Sequence, residues 1–333
     1  MIRRIVIYLL SIVLLPLSLP ANAKKVQPKE VATLPVEQEQ QFSYYWYAAK
    51  QAIEQERYPD ALVLLEFCHM IKPNDGQTLT FLAIMYDGLG QKERALKTFR
   101  KAFEADPHDQ WNRYCSFLMN MNSAEAAREA LAALEKAYSA QKPHVEEDLL
   151  EQLRRGYMVF GQWAKAIAMQ DEIDRLRGYD AYSALNRYRT YAAWGKNKKA
   201  IEAIDKYLEL EPTNVQFLMF RLEIMERMGA KQTELYAMYD RILEIDPYNL
   251  GVLNNYAYHL ATHKGDLQRA ERMSAVTIKE QPNNPVYLDT YGWILYMQGQ
   301  KELALFYLQR ALSNSTGAQV TDEVKKHIKQ IKP

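Results

Sequence analysis

The sequence predicts an all-α fold, a solenoid of stacked helical hairpins. Two observations predict it. The stretch TYGWILYMQGQKELALFYLQRAL, residues 290–312, sets small residues at Gly292, Gly299, Ala304 and Ala311; TLTFLAIMYDGLGQKERALKTFRKAFEADP, residues 78–107, sets Ala83, Gly90, Ala95 and Ala102 at the same spacings of 7, 5 and 7. Pro73 and Pro107, each near the end of such a stretch, stand 34 residues apart. Self-similarity at that period marks a repeat architecture. Small residues let two helices approach, and large ones such as Leu295, Tyr296 and Leu308 fill the gaps between turns. Glycine at the turn admits backbone angles that other residues resist, and proline ends one hairpin and presets the next.

The elements follow in chain order. MIRR is a short basic start, IVIYLLSIVLLPLSL is apolar, and ANA at 21–23 fits a small-x-small cleavage pattern, so residues 1–23 are expected to be a secretory signal peptide. The apolar run is interrupted by Pro16 and is shorter than the ~20 residues that span a bilayer, so no transmembrane span is expected once the signal is removed. Loss of Arg3 and Arg4 takes the formal net charge from +1 to −1. Residues 24–41, KKVQPKEVATLPVEQEQQ, are expected to be a mobile linker. Eight helix-turn-helix windows follow: 42–75, 76–109, 110–141, 147–180, 181–214, 215–249, 250–284 and 285–318. Pro73, Pro107, Pro212, Pro247 and Pro282 close five of them, and Gly90, Gly161, Gly195, Gly229, Gly265 and Gly299 sit at or near six turns. The third window has Asn122 where glycine is usual, and RMGAKQ and THKGDLQ each carry one extra turn residue. A break near AQKPHV, residues 140–145, is where the array is expected to flex. Residues 319–333 are expected to be a capping helix and tail, with Val324, Ile328 and Ile331 on its apolar side.

These residues resemble the tetratricopeptide repeat (TPR) over positions 42–318. The resemblance implies a right-handed solenoid of about eight repeats whose first helices line a concave groove that binds a peptide or partner helix. The exported style, with NNYAYHL and LDTYGWILY, resembles bacterial envelope proteins of this family and implies a periplasmic location in a double-membrane bacterium. One subtype clamps a carboxylate with a Lys and an Asn on successive first helices; Trp46 and Lys50 stand at the first repeat's places instead, so that docking activity is not carried over.

The groove-facing residue of each window, under the same resemblance, is Lys50, Ile84, Ser116, Arg155, Arg189, Glu223, Tyr258 and Trp293. Two candidate binding sites follow. Arg155 and Arg189, with Arg113, offer planar paired donors to a carboxylate unless local acids such as Glu151 and Glu223 occupy them. Asn254, Tyr258, Asp289, Trp293 and Tyr296 form an aromatic strip fit for protein recognition or, alternatively, for carbohydrate or peptidoglycan. Self-association as a structural component is the remaining alternative.

Other classes are excluded on chemistry. No glycine-rich phosphate loop, Gly-x-Ser-x-Gly or His-Glu-x-x-His occurs, so no enzyme is expected. The balanced charge lacks the basic excess of a nucleic-acid binder. His259 and His263 stand four apart without Cys or acidic company, so no metal or cofactor is expected. Cys68 and Cys115 fall one whole repeat apart and are expected to be free, buried thiols.

Overall fold

The computed structural model describes residues 34–331. The expected signal peptide, 1–23, and the linker up to residue 33 lie outside them. Seventeen α-helices run through the described residues, with no strand. The chain forms two compact units that divide between Gly178 and Tyr179.

The first unit holds four consecutive hairpins: α1 (Val36–Glu54) with α2 (Tyr58–Ile71), α3 (Gly76–Gly88) with α4 (Lys92–Ala105), α5 (Trp111–Asn120) with α6 (Ala124–Gln141), and α7 (Glu147–Val159) with α8 (Trp163–Arg177). Each second helix also packs on the first helix of the next hairpin. The second unit repeats the plan: α9 (Ala181–Ala193) with α10 (Asn197–Leu208), α11 (Val215–Arg227) with α12 (Gln232–Ile245), α13 (Leu250–Thr262) with α14 (Leu267–Glu280), and α15 (Pro285–Met297) with α16 (Lys301–Asn314). The single helix α17 (Ala318–Ile331) packs on both α16 and α15.

Two expectations need correction. The linker ends early, because α1 begins at Val36 and not at 42. The segment VEQEQQ is rich in good helix formers, and Glu39 gains a salt bridge to Lys72 of α2 at 2.6 Å. The chain does not divide at 140–145: α6 packs on α7 across it, and one core runs from Ala49 in α1 to Ile173 in α8. The division falls after α8 instead.

The turns explain the glycines. After α3, Gly90 takes φ +79°, Gly90 N–H donates to Asp87 and Gln91 N–H donates back to Tyr86. That pairing is the Schellman motif, whose penultimate residue must be left-handed. Glu56 and Asn122 take the same hand at +58° and +54°. Gly265 differs: Lys264 carries the positive φ of that turn. A Cβ on Gly265 would stand 2.6 Å from Leu260 Cδ2, so glycine is needed there for room. The turns after α11 and α13 have four residues where the other hairpin turns have three, as the two insertions predict.

First helices are also capped by a short side chain. Asp75, Asp180, Asn214, Asn249 and Asn284 each accept a backbone N–H two or three residues on. Such a cap satisfies one orphan donor and is worth ~1 kcal/mol against alanine.

The hairpins close on small side chains. Ala61, Ala95, Ala166, Ala200, Ala270 and Ala304 are each the fourth residue of a second helix, and each is fully buried. Gly292 meets Ala304 and Leu308 so closely that a Cβ would lie 2.9 Å from Leu308 Cγ and 3.1 Å from the Ala304 carbonyl oxygen. Alanine at an unstrained helical glycine gains ~0.5–1 kcal/mol of backbone entropy, whereas overpacking against a backbone oxygen costs ~1–3 kcal/mol. Gly292→Ala is therefore expected to lower stability in a denaturant melt; an unchanged or raised midpoint would contradict this packing.

Cys68 and Cys115 are free and buried. Burial pushes the Cys68 thiol up to about 11, helped by the field of Asp75, and pushes Cys115 up to about 12. Both stay protonated well above neutral pH, and the thiol form is a poor nucleophile. Ellman's reagent should find no fast thiol in the native chain between pH 7 and 9, and two after denaturation. Fast native labelling would contradict the burial.

Candidate protein-binding site

In the first unit, α5, α6 and α7 enclose a cavity of about 450 Å³. Leu131 and Leu134 form its floor, Met119 and Val159 stand at its mouth, and Ser116 and Arg155 are at its polar edge. Gly156 makes room for it: a Cβ there would meet Leu131 Cδ1 at 3.0 Å, so its absence lets α7 lie close on α6. Met119 and Val159 are 63% and 75% exposed, which is unusual for side chains of their size and leaves apolar surface open to a partner.

Arg155 is exposed and makes no ion pair among the described residues. The acid expected to neutralise it is engaged elsewhere. Glu151 accepts two bonds from Arg154, at 2.9 and 3.2 Å, and both of those side chains are largely buried. The inward Arg154 thus takes the carboxylate and leaves the outward Arg155 with an unspent set of donors beside an apolar cavity. Arg113 lies on the same α5 but is not among the residues lining the cavity. The lining residues missed by the sequence reading were within reach of it: Asn112 and Met119 lie four before and three after Ser116, and Gln152 and Val159 three before and four after Arg155. They share the exposed face of those two helices.

In the second unit, Arg189 on α9 is likewise exposed and free of ion pairs among the described residues. Glu223, its candidate neutraliser, accepts from Tyr188 Oη at 2.8 Å and from Arg227 at 2.6 Å. Burial, then the bond to Glu223, pushes the Tyr188 hydroxyl up to about 12. Beside it, α11 and α13 border a cavity of about 220 Å³ with Met219 and Phe220 on its wall and Glu223 and Glu226 on its edge. Arg155 belongs to the first unit and Arg189 to the second, so each is set in its own surroundings.

The aromatic strip of the second unit is not the open surface expected of it. Helix α17 lies over it. The apolar side of that helix is as predicted, with Val324 and Ile331 buried and Ile328 partly so. His327 falls on the same face, one turn from Val324. Its ring stacks on Trp293 at 4.2 Å and 21°. Its Nδ1 lies 2.9 and 3.0 Å from the two oxygens of Asp289 and donates to that carboxylate. Asp289 is only 6% exposed, and Asn254 is also buried. Tyr258 is half-buried near His327, and Trp293 packs on Tyr296 at 5.1 Å. Burial pushes the Tyr258 hydroxyl up, with further contributions from Glu323 and Asp289. The physical reason for the correction is that α17 must itself bury an apolar face, and the last hairpin supplies the surface.

No helix among the described residues is long and apolar enough to cross a membrane. The tetratricopeptide repeat model matches residues 76–109 and 189–214, which cover α3 with α4 and the end of α9 with α10. A TPR repeat-containing protein of Pseudomonas aeruginosa is 30% identical over 118 residues, 35% of this chain; the matched stretch spans only 20% of that relative's length. The solved C-terminal part of a TPR repeat-containing protein from Cytophaga hutchinsonii aligns with a TM-score of 0.51 at 18% identity, over 74% of this chain and 98% of that one. A tetratricopeptide repeat protein of Parabacteroides merdae aligns at 0.41 and 13% identity, over 88% and 100%. The chain thus carries tetratricopeptide repeats at residues 76–109 and 189–214, and its described residues have an all-α solenoid fold of stacked helical hairpins.

Proposed function

We propose that the chain is a non-catalytic scaffold of the bacterial cell envelope that holds a segment of a partner protein in the cavity between α5, α6 and α7. The segment inserts apolar side chains between Met119 and Val159 and sets a carboxylate, from Asp, Glu or a chain terminus, against Arg155. One observation carries this reading: Arg155 makes no ion pair among the described residues and stands at the edge of an apolar cavity, while Glu151, the acid four residues before it, is held by Arg154. An arginine in that state keeps its paired donors for an incoming group, and a carboxylate that joins it is partly desolvated by the cavity walls.

The envelope assignment is supported by the basic start, apolar run and ANA of residues 1–23. N-terminal sequencing of the protein recovered from an envelope-bearing expression host should begin at Lys24; an intact Met1 would contradict export by cleavage. The carbohydrate alternative has less to stand on, because α17 covers Asp289 and Trp293.

Binding is tested with fluorescent peptides selected on the wild-type chain for apolar residues flanking an acid. Arg155→Ala should weaken them by about 1.5 kcal/mol or more, roughly tenfold in Kd. Arg155→Lys should restore only part of the loss, since lysine cannot present the planar fork. Equal affinity of wild type and Arg155→Ala would contradict the site.

A further inference from the structure

The face that fastens α17 also gathers three side chains with metal-ligating atoms. Glu323 and His327 are four apart on α17 and so stand on one side of that helix. Asp289 of α15 meets them, and one donor atom from each of the three lies within 4.8 Å of the other two. Asp289 and His327 are buried, whereas Glu323 is exposed. We propose that Asp289, Glu323 and His327 form a binding site for a divalent transition-metal ion, zinc by its donor set, which ties α17 to the last hairpin.

The donors fit. An imidazole nitrogen with two carboxylates suits zinc and its neighbours; magnesium and calcium prefer oxygen alone. At metal–ligand bonds of about 2.0–2.2 Å, neighbouring donors stand about 3–3.5 Å apart. The His327 Nδ1 to Asp289 separations of 2.9 and 3.0 Å already lie close to that edge length, and the ion takes the place of the Nδ1 proton, which is released to solvent. Only Glu323 has to close in, and as an exposed, flexible side chain it does so without repacking the core. Its exposure also provides the entry path and leaves a fourth position to water.

The charge fits as well. Two carboxylates face one imidazole, and neither Asp289 nor Glu323 pairs with a lysine or arginine among the described residues. Their field also reaches Tyr258, whose hydroxyl is pushed up first by burial and then by Glu323 and Asp289. A bound dication would offset that concentration of negative charge. The imidazole is pre-set for it, because stacking on Trp293 holds the ring in place. Preset ligands lower the ordering cost of binding.

The test uses the full, untagged chain, stripped with EDTA and titrated with zinc alone by calorimetry, with cobalt as a spectroscopic probe. The expected result is one zinc per chain, a higher melting temperature with zinc than without, and cobalt absorption of a nitrogen–oxygen site. Glu323→Gln removes a ligand from an exposed position without disturbing the core, and should weaken zinc at least about tenfold. His327→Gln should abolish binding. His259 and His263 are the competing place, since their rings stack at 4.2 Å at the end of α13. His263→Gln should therefore leave the titration unchanged. Absence of saturable zinc uptake by the wild type would overturn the proposal. So would wild-type affinity in both Glu323→Gln and His327→Gln, or loss of binding in His263→Gln alone.

Discussion

The close approach of two antiparallel helices at a buried alanine sets the structure of both units. Seven second helices carry an alanine as their fourth residue, and in six of them it is fully buried. A larger side chain there would push the hairpin open. The turn must then reverse the chain in few residues, which calls for a left-handed residue and a Schellman bond. The short turn in turn fixes which faces of the two helices meet. The outward face of each first helix is thereby left for other uses, and this is where Ser116 and Arg155 stand.

The two arginines on α7 face different surroundings, and the proposed site depends on that difference. Arg154 and Arg155 are adjacent, so a helix turns them about 100° apart. Arg154 is turned into the hairpin, where its charge is balanced by Glu151. Arg155 is turned out, where it makes no ion pair among the described residues. The buried pair contributes little net stability, because desolvation offsets most of the attraction. Its effect is to hold Glu151 away from the cavity edge. The site is therefore made as much by what Arg154 engages as by what Arg155 offers.

The hairpins were legible in the sequence because their determinants are local. Spacing of Gly90, Ala95 and Ala102 sufficed for one hairpin, and Asn122 was legible as a glycine substitute because asparagine tolerates the left-handed region. The pairing of Glu151 was not legible. Arg154 and Arg155 stand three and four residues beyond it, and both spacings permit contact on a helix. Only the direction of the core decides between them. The aromatic strip failed for a different reason. Tyr258 and Trp293 lie on α13 and α15, but what covers them comes from α17, at the far end of the sequence. Its Val324 and Ile331 announced a buried face; that His327 belongs to that face follows from the same spacing, yet its partner Asp289 is 38 residues away. The end of the linker was misplaced because VEQEQQ is polar, and polarity alone does not distinguish a linker from the exposed first turns of a helix.

Docking of a partner at the cavity edge by Arg155 is the proposal on which the functional reading rests. The most direct measurement places a photoreactive benzophenone side chain at Gln152, on the cavity lining, and in a second preparation at Glu104, exposed on α4. Each is irradiated in native envelope extract, and the cross-linked segments are read by mass spectrometry. The expected result is capture from Gln152 of a segment bearing apolar residues beside a carboxylate, with capture lost when Arg155 is alanine. Capture from Glu104 alone, or capture from Gln152 that is indifferent to Arg155, would contradict it.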